Sequence, residues 1–190
     1  MENVAASAPS ATGYEALLRG DHVTARSEFE RALSDGGGEE VLVHLGWLLE
    51  SGLGGPVDIE RGKALYRAAL EHAPGLASYY LGRVLMREGN RIEGAPLLER
   101  ATSLGNPSAA YWLYAYSSEA NDPASKELAE RSLSRAVELG HIFARRDLAL
   151  RQVRSSRNFV SKVRALLQYW RSKFAGVVLA IKDVNDWRVR

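Results

Sequence analysis

The side chains able to do chemistry are few and scattered. His22, His44, His72 and His141 stand in separate regions and form no HxxxH or HxH pair, the spacings that bring two imidazoles to one metal. The run Gly52-Leu53-Gly54-Gly55 has the glycine content of a phosphate-cradling loop, but no strand pattern precedes it and no Lys-Ser/Thr follows. Glu39-Glu40 and Glu127 with Glu130 read as solvated helix charges rather than an acid/base pair. No G-x-S-x-G nucleophile elbow occurs. The chain has no cysteine, which excludes a disulfide framework, a thiolate metal site and a cysteine nucleophile. No catalytic residue, metal or cofactor is therefore expected, and the chain is not expected to be an enzyme.

What the sequence does hold is self-similarity. Gly62, Tyr66, Ala69 and Ala73 fall at offsets 0, 4, 7 and 11. The same offsets give Ala25, Phe29, Ala32, Gly36; Gly94, Leu98, Ala101, Gly105; Ala129, Leu133, Ala136, Gly140; and Ala165, Tyr169, Ser172, Gly176. The set starts are 37, 32, 35 and 36 residues apart. A second column of small residues, Gly13, Gly46, Gly82, Ala115 and Ala149, stands 12 to 16 residues before them. Offsets of this kind lie along one face of a helix. Small residues there let two backbones approach, and the large one fills the gap between them. Each unit thus reads as helix A, a turn, helix B and a Gly-bearing loop. One such hairpin cannot bury its apolar face alone, whereas stacked copies can.

These residues carry a resemblance. The alternating small and large helix pair with a period near 34 resembles the tetratricopeptide repeat. Gly52-Leu53-Gly54-Gly55-Pro56-Val57-Asp58 followed by Lys63-Ala64-Leu65-Tyr66-Arg67-Ala68-Ala69 is similar to the long turn and KA…Y…AA helix of its Sel-one-like subclass. The resemblance covers roughly residues 13–176. Its fourth unit has Tyr114 and Ser118 where Leu appears in units two and three, and its fifth has Arg146 and Gln152 where apolar residues are expected. It implies an all-α, right-handed α-solenoid of about five antiparallel helix hairpins with a C-terminal capping helix. It also implies a protein–protein interaction scaffold or adaptor, as in the assembly complexes of bacterial secretion and exopolysaccharide systems. Some members are cysteine-rich and associated with enzymatic activity; without those cysteines, that activity is not implied here.

The expected helix pairs are 9–19 with 22–35, 39–51 with 58–72, 76–88 with 91–104, 107–119 with 123–139, and 142–154 with 158–174, then a last helix over 177–187. Asp21, Asp58, Asn90, Asn106 and Asp122 or Pro123 are of the types that begin helices. Residues 1–8 read as a disordered lead-in, 9–156 as the array of four to four-and-a-half hairpins, and 157–190 as a basic amphipathic region completing or capping it.

In tetratricopeptide-type arrays helix A lines a concave groove. Counting three before and one after each small residue of helix A gives Tyr14, Val43, Trp47, Tyr79, Arg83, Trp112, Tyr116 and Arg146, and one turn on lie Glu50, Met86 and Glu119. Trp, Tyr and Arg dominate binding energy when a partner buries them. This row is the expected partner-binding surface, for an extended or helical peptide. Its alternative is half-buried packing of Trp47, Tyr79 and Trp112 between neighbouring A helices.

From Phe159 onward the apolar residues form a helical stripe, with Arg157, Lys162, Arg164, Arg171, Lys173 and Lys182 expected on the other face. The segment reads either as helix B of unit five plus a cap, or as a basic amphipathic helix for an acidic partner or an anionic membrane surface. Charge is uneven. Residues 1–150 carry 15 Lys/Arg against 21 Asp/Glu, while 151–190 carry 10 against 2. Arg outnumbers Lys by 20 to 5. A small-molecule substrate is not expected. The alternative functions are a peripheral membrane module acting through 157–190 and an RNA binder; the acidic first 150 residues oppose the latter. The start of the chain lacks a basic n-region and an apolar h-region, and no apolar run is long enough to span a bilayer. A cytoplasmic location is expected, or one at the inner membrane face through the C-terminal region.

Overall fold

The computed structural model describes residues 9–36, 38–155 and 159–182. Among them are ten α-helices and no strand: α1 Pro9–Leu18, α2 His22–Ser34, α3 Leu42–Ser51, α4 Ile59–Ala68, α5 Pro74–Arg87, α6 Arg91–Ser103, α7 Pro107–Ser118, α8 Pro123–Glu138, α9 Ile142–Ser155 and α10 Phe159–Lys182. A 3₁₀ turn, Glu39–Val41, leads into α3. The lead-in 1–8 lies outside the described residues.

Helix starts follow the cap chemistry of the sequence. Side-chain oxygens of Asp21, Asp58, Asn90, Asn106 and Asp122 each accept a hydrogen bond from the backbone N–H three residues on, at 2.9–3.3 Å. Each satisfies one of the orphan donors of a helix N-terminus. Pro107 and Pro123 occupy first-turn positions, where the missing N–H costs nothing. Hydrogen bonding from the side chains of Thr24 and Ser125, and then from their backbone N–H groups, holds the Asp21 and Asp122 carboxyls below the usual carboxylate range.

The chain divides into two compact units, Met1–Val84 and Leu85–Arg190, with the boundary inside α5. In the first, α1 packs on α2 and α3 on α4 as hairpins, and α2 also touches α3. Its core gathers Ala16, Ala25, Phe29, Ala32, Val41, Leu45, Leu48 and Leu49. The small-large-small columns are its contact points: Ala25, Phe29, Tyr66 and Ala69 have no exposed surface. Gly46 and Gly62 show why one column must be small. A Cβ on Gly46 would lie 2.7 Å from the Tyr66 ring, and one on Gly62 would lie 3.0 Å from the Gly46 carbonyl oxygen. The α3–α4 crossing is therefore made backbone to backbone, with Tyr66 laid across it.

The glycine-rich turn braces this unit. Gly54 sits against the backbone of His22, and Arg26 Nη1 donates to the Pro56 carbonyl at 2.9 Å. Asp58 N–H donates back to the Leu49 carbonyl at 2.9 Å. The turn is a strut from the second hairpin to the start of α2.

In the second unit α7 packs on α8 and α9 on α10, with α6 against α7 and α8 against α9. Leu98, Ala101, Ala129, Leu133, Ala136 and Ala165 are buried in their predicted register. α7 departs from it. Ala115, the expected contact residue, is only half-buried, whereas Ala109, Ala110, Leu113 and Ser117 are buried. The small run Ser108-Ala109-Ala110 allows close approach earlier in the helix, so Ala110 joins Leu133, Ala136 and Ala144.

The C-terminal region also differs from expectation. The predicted break between 158–174 and 177–187 is absent, and α10 continues through Gly176 to Lys182. α10 is the partner of α9, and it packs through its small residues: Ala165 is buried and Ser172 half-buried.

Candidate partner-binding surface

The predicted groove residues divide into those consumed by packing and those left partly open. In the first unit Val43 and Tyr79 are 3 % and 5 % exposed, and in the second Met86 is 6 % exposed. These three correct the expectation of a groove lining. For Val43 the cause is that α3 meets α2 as well as its hairpin partner α4.

Tyr14 is half-buried and engaged at both ends. Its ring meets Phe29 and His44 edge-on, at 5.1 and 4.9 Å between centroids. Its hydroxyl donates to the Glu40 carbonyl at 2.9 Å and lies 3.2 Å from His44 Nδ1. Burial, then the nearby Glu40 charge, raises its pKa. Trp47 is half-buried against the core, its ring 6.1 Å from that of His22.

Arg83 is a brace, not a free cation. Its Nη2 donates to Glu50 Oε2 at 2.7 Å, and the Tyr66 hydroxyl donates to the same oxygen at 2.9 Å. Its guanidinium lies 5.0 Å from the Tyr80 ring, and Tyr80 stacks on Tyr66. Burial opposes the Arg83 charge, but the Glu50 carboxylate overrides it and holds the pKa above its ordinary value. Burial and the same carboxylate push the Tyr66 phenol far up. α3, α4 and α5 thus share one buried ionic knot, which the sequence pattern did not reveal because Glu50 and Tyr66 lie on different elements.

In the second unit, Trp112 and Tyr116 stack at 5.5 Å with an interplanar angle of 25°, and both are only half-buried. One helical turn separates them, so α7 itself sets the stack. Arg146 pairs with Asp147 at 2.8 Å and lies over the Phe143 ring at 5.1 Å. Asp147 also accepts from the Tyr111 hydroxyl at 2.8 Å, tying α9 to α7. Burial and that carboxylate raise the Tyr111 pKa. Beneath it, His141 is fully buried, stacks on Tyr111 at 4.3 Å, and accepts the Ala144 N–H at the start of α9. That histidine is structural.

A cleft of about 510 Å³ opens along α9 and α10. Ile142, Leu148 and Ala149 supply apolar wall, and Arg145, Gln152, Gln168 and Arg171 supply polar groups. Arg145, Gln152 and Gln168 were not among the predicted site residues. The available signal was Gln152 at a position expected to be apolar. Lys162, Arg164, Arg171 and Lys173 of the predicted basic face are exposed on α10. Arg157 and the Lys182 side chain lie outside the described residues. Among the described residues no group of three or more His, Asp or Glu could hold a metal ion, and no helix is long and apolar enough to cross a membrane.

Helix hairpins recurring at this period define an α-helical repeat protein. The particular fold is that of Sel1-like repeats, known as the SLR fold. A protective antigen of uropathogenic Escherichia coli strains that displays an SLR fold matches with a TM-score of 0.69 at 16 % identity, over 92 % of this chain and 41 % of its own. The chain thus spans less than half the length of that protein. A Sel1 repeat protein from Oxalobacter formigenes matches with a TM-score of 0.67 at 22 % identity, over 90 % of this chain and 69 % of its own. No protein-family model and no curated protein matches the sequence.

Proposed function

We propose that the protein is a non-catalytic scaffold that holds a segment of a partner protein, with the Trp112–Tyr116 stack as its anchor. The observation that carries this is a pair of large rings, rigidly paired on one helix and left half-open. Such rings gain much on burial and lose little freedom, which is why they dominate protein interfaces. The SLR fold supports the same role by analogy. Trp112→Ala should weaken partner binding by about 2 kcal/mol or more and leave the melting temperature nearly unchanged. A pull-down comparing intact protein with the Trp112→Ala/Tyr116→Ala double variant identifies the partner and checks the anchor together. A large loss of stability with unchanged affinity assigns Trp112 to packing and refutes the role.

A second contact is favoured by the α9–α10 cleft, whose two arginines and two glutamines suit a segment carrying carboxylates. Arg145→Ala should then weaken the same partner. A nucleic-acid partner is disfavoured by the excess of acid over base in residues 1–150. The cysteine-free composition suits a reducing compartment such as the cytoplasm. A role as an assembly factor in a bacterial secretion or exopolysaccharide system rests on the repeat resemblance.

A further inference from the structure

The outward face of α10 carries an apolar row that its packing on α9 leaves exposed among the described residues. α10 packs on α9 through Ala165 and its neighbours one and two turns on, Tyr169 and Ser172. The opposite face carries Val160, Val163, Leu167, Trp170 and Phe174, at spacings of three and four residues, and these are 39 % to 65 % exposed. A helix that uses its small residues for packing and turns its large apolar row outward leaves that row for another occupant.

Charge says which occupant. Phe159–Lys182 contains no Asp or Glu. By helical geometry, Lys162 and Lys173, three turns apart, flank one side of the row, and Arg164 flanks the other. All three are exposed. Lys173 Nζ lies 5.1 Å from the Trp170 ring, so its stem runs along the apolar row while its charge stays at the edge. Arg164 lines a shallow hollow with Val160, Val163 and Leu167. An apolar row edged by cations on both sides, with an indole at its border, fits the boundary between acyl chains and anionic headgroups. A second copy meeting row to row would oppose cations with cations and supply no α10 carboxylate. The helix is not long and apolar enough to span a bilayer, so a contact with one would be interfacial.

We propose that α10 docks the protein on an anionic lipid surface, inserting Val160, Val163, Leu167, Trp170 and Phe174 between headgroups and placing Lys162, Lys173 and Arg164 against lipid phosphates. The test is co-sedimentation of the full chain with phosphatidylcholine vesicles, with and without phosphatidylglycerol. Binding should be about tenfold or more stronger to the anionic vesicles and should fall as salt is raised. Leu167→Glu/Phe174→Glu should abolish it, and Lys162→Glu/Lys173→Glu should remove the preference for anionic lipid. Circular dichroism should show unchanged helicity in both, since all four side chains are exposed. Failure of the full chain to bind either vesicle overturns the proposal, as does undiminished binding by Leu167→Glu/Phe174→Glu. An oligomer that dissociates in that variant, without lipid binding by the parent, assigns the row to a second copy instead.

Discussion

Glu50 and Arg83 are worth more as a pair than either is alone. Their side chains are 4 % and 14 % exposed, so each charge depends on the other for what water would otherwise supply. Glu50→Ala strands the Arg83 charge and deprives the Tyr66 hydroxyl of its acceptor. It should cost about 3–5 kcal/mol in urea unfolding. Adding Arg83→Met should recover part of that loss, because the stranded charge is gone. A double variant no better than Glu50→Ala would show that the knot contributes through packing alone. His44 offers a pH-dependent counterpart. Burial lowers its pKa, opposed in part by the Glu40 carbonyl. The unfolded state, near the ordinary value of about 6.5, therefore takes up a proton first as pH falls. Stability is full above that value and declines as pH drops through it toward the lower folded pKa. The urea midpoint should fall between neutral and mildly acidic pH, and His44→Gln should flatten that part of the decline.

Among the elements, the second-hairpin turn is sensitive to any added side chain. Gly54 has φ of +75°, and a Cβ there would lie 2.1 Å from the His22 carbonyl oxygen. Gly20 has nearly the same φ, +77°, with nothing within 4 Å. Gly20→Ala should cost about 1–2 kcal/mol from backbone conformation alone. Gly54→Ala adds displacement of the strut from α2, and should cost about 1–3 kcal/mol more. Thermal unfolding of the two variants separates strut from turn; equal losses would mean the strut holds nothing. The packing behind this was largely legible in sequence. Phe29, Tyr66, Leu98 and Leu133 recur at a fixed place between small residues, and all four are buried. The five cap residues were legible because each needs only its own side chain and a nearby backbone N–H. Ala165 of α10 was legible too, since its offset set marks it as a contact residue and it is buried. What could not be read was where the apolar stripe of Leu167, Trp170 and Phe174 would point, because that depends on which neighbours α10 meets. The groove was legible in part for the same reason. Spacing put Tyr79 and Arg83 on one face of α5, yet the partners that bury or pair them, such as Glu50, come from other elements.

For the whole molecule, stability and charge both change character near the end of α9. In arrays of hairpins each element depends mainly on its nearest neighbours. α9 buries Ala144 toward α7 and α8, and it packs on α10 along its length. Truncation after Ser155 removes the second support while keeping the first. The shortened chain should lose more helical signal than the 24 residues of α10 account for, because α9 frays once one flank is bare. Hydrogen exchange should then accelerate in α9 and remain slow in α1 to α4, which belong to the other compact unit. The same cut converts a chain of 25 Lys/Arg and 23 Asp/Glu into one of 17 and 21, so the product should bind anion exchanger where the full chain does not. Unchanged protection of α9 amides in the truncated chain would mean that α10 rides on the array without supporting it. In that case its role would be confined to the outward row of Val163, Leu167 and Trp170.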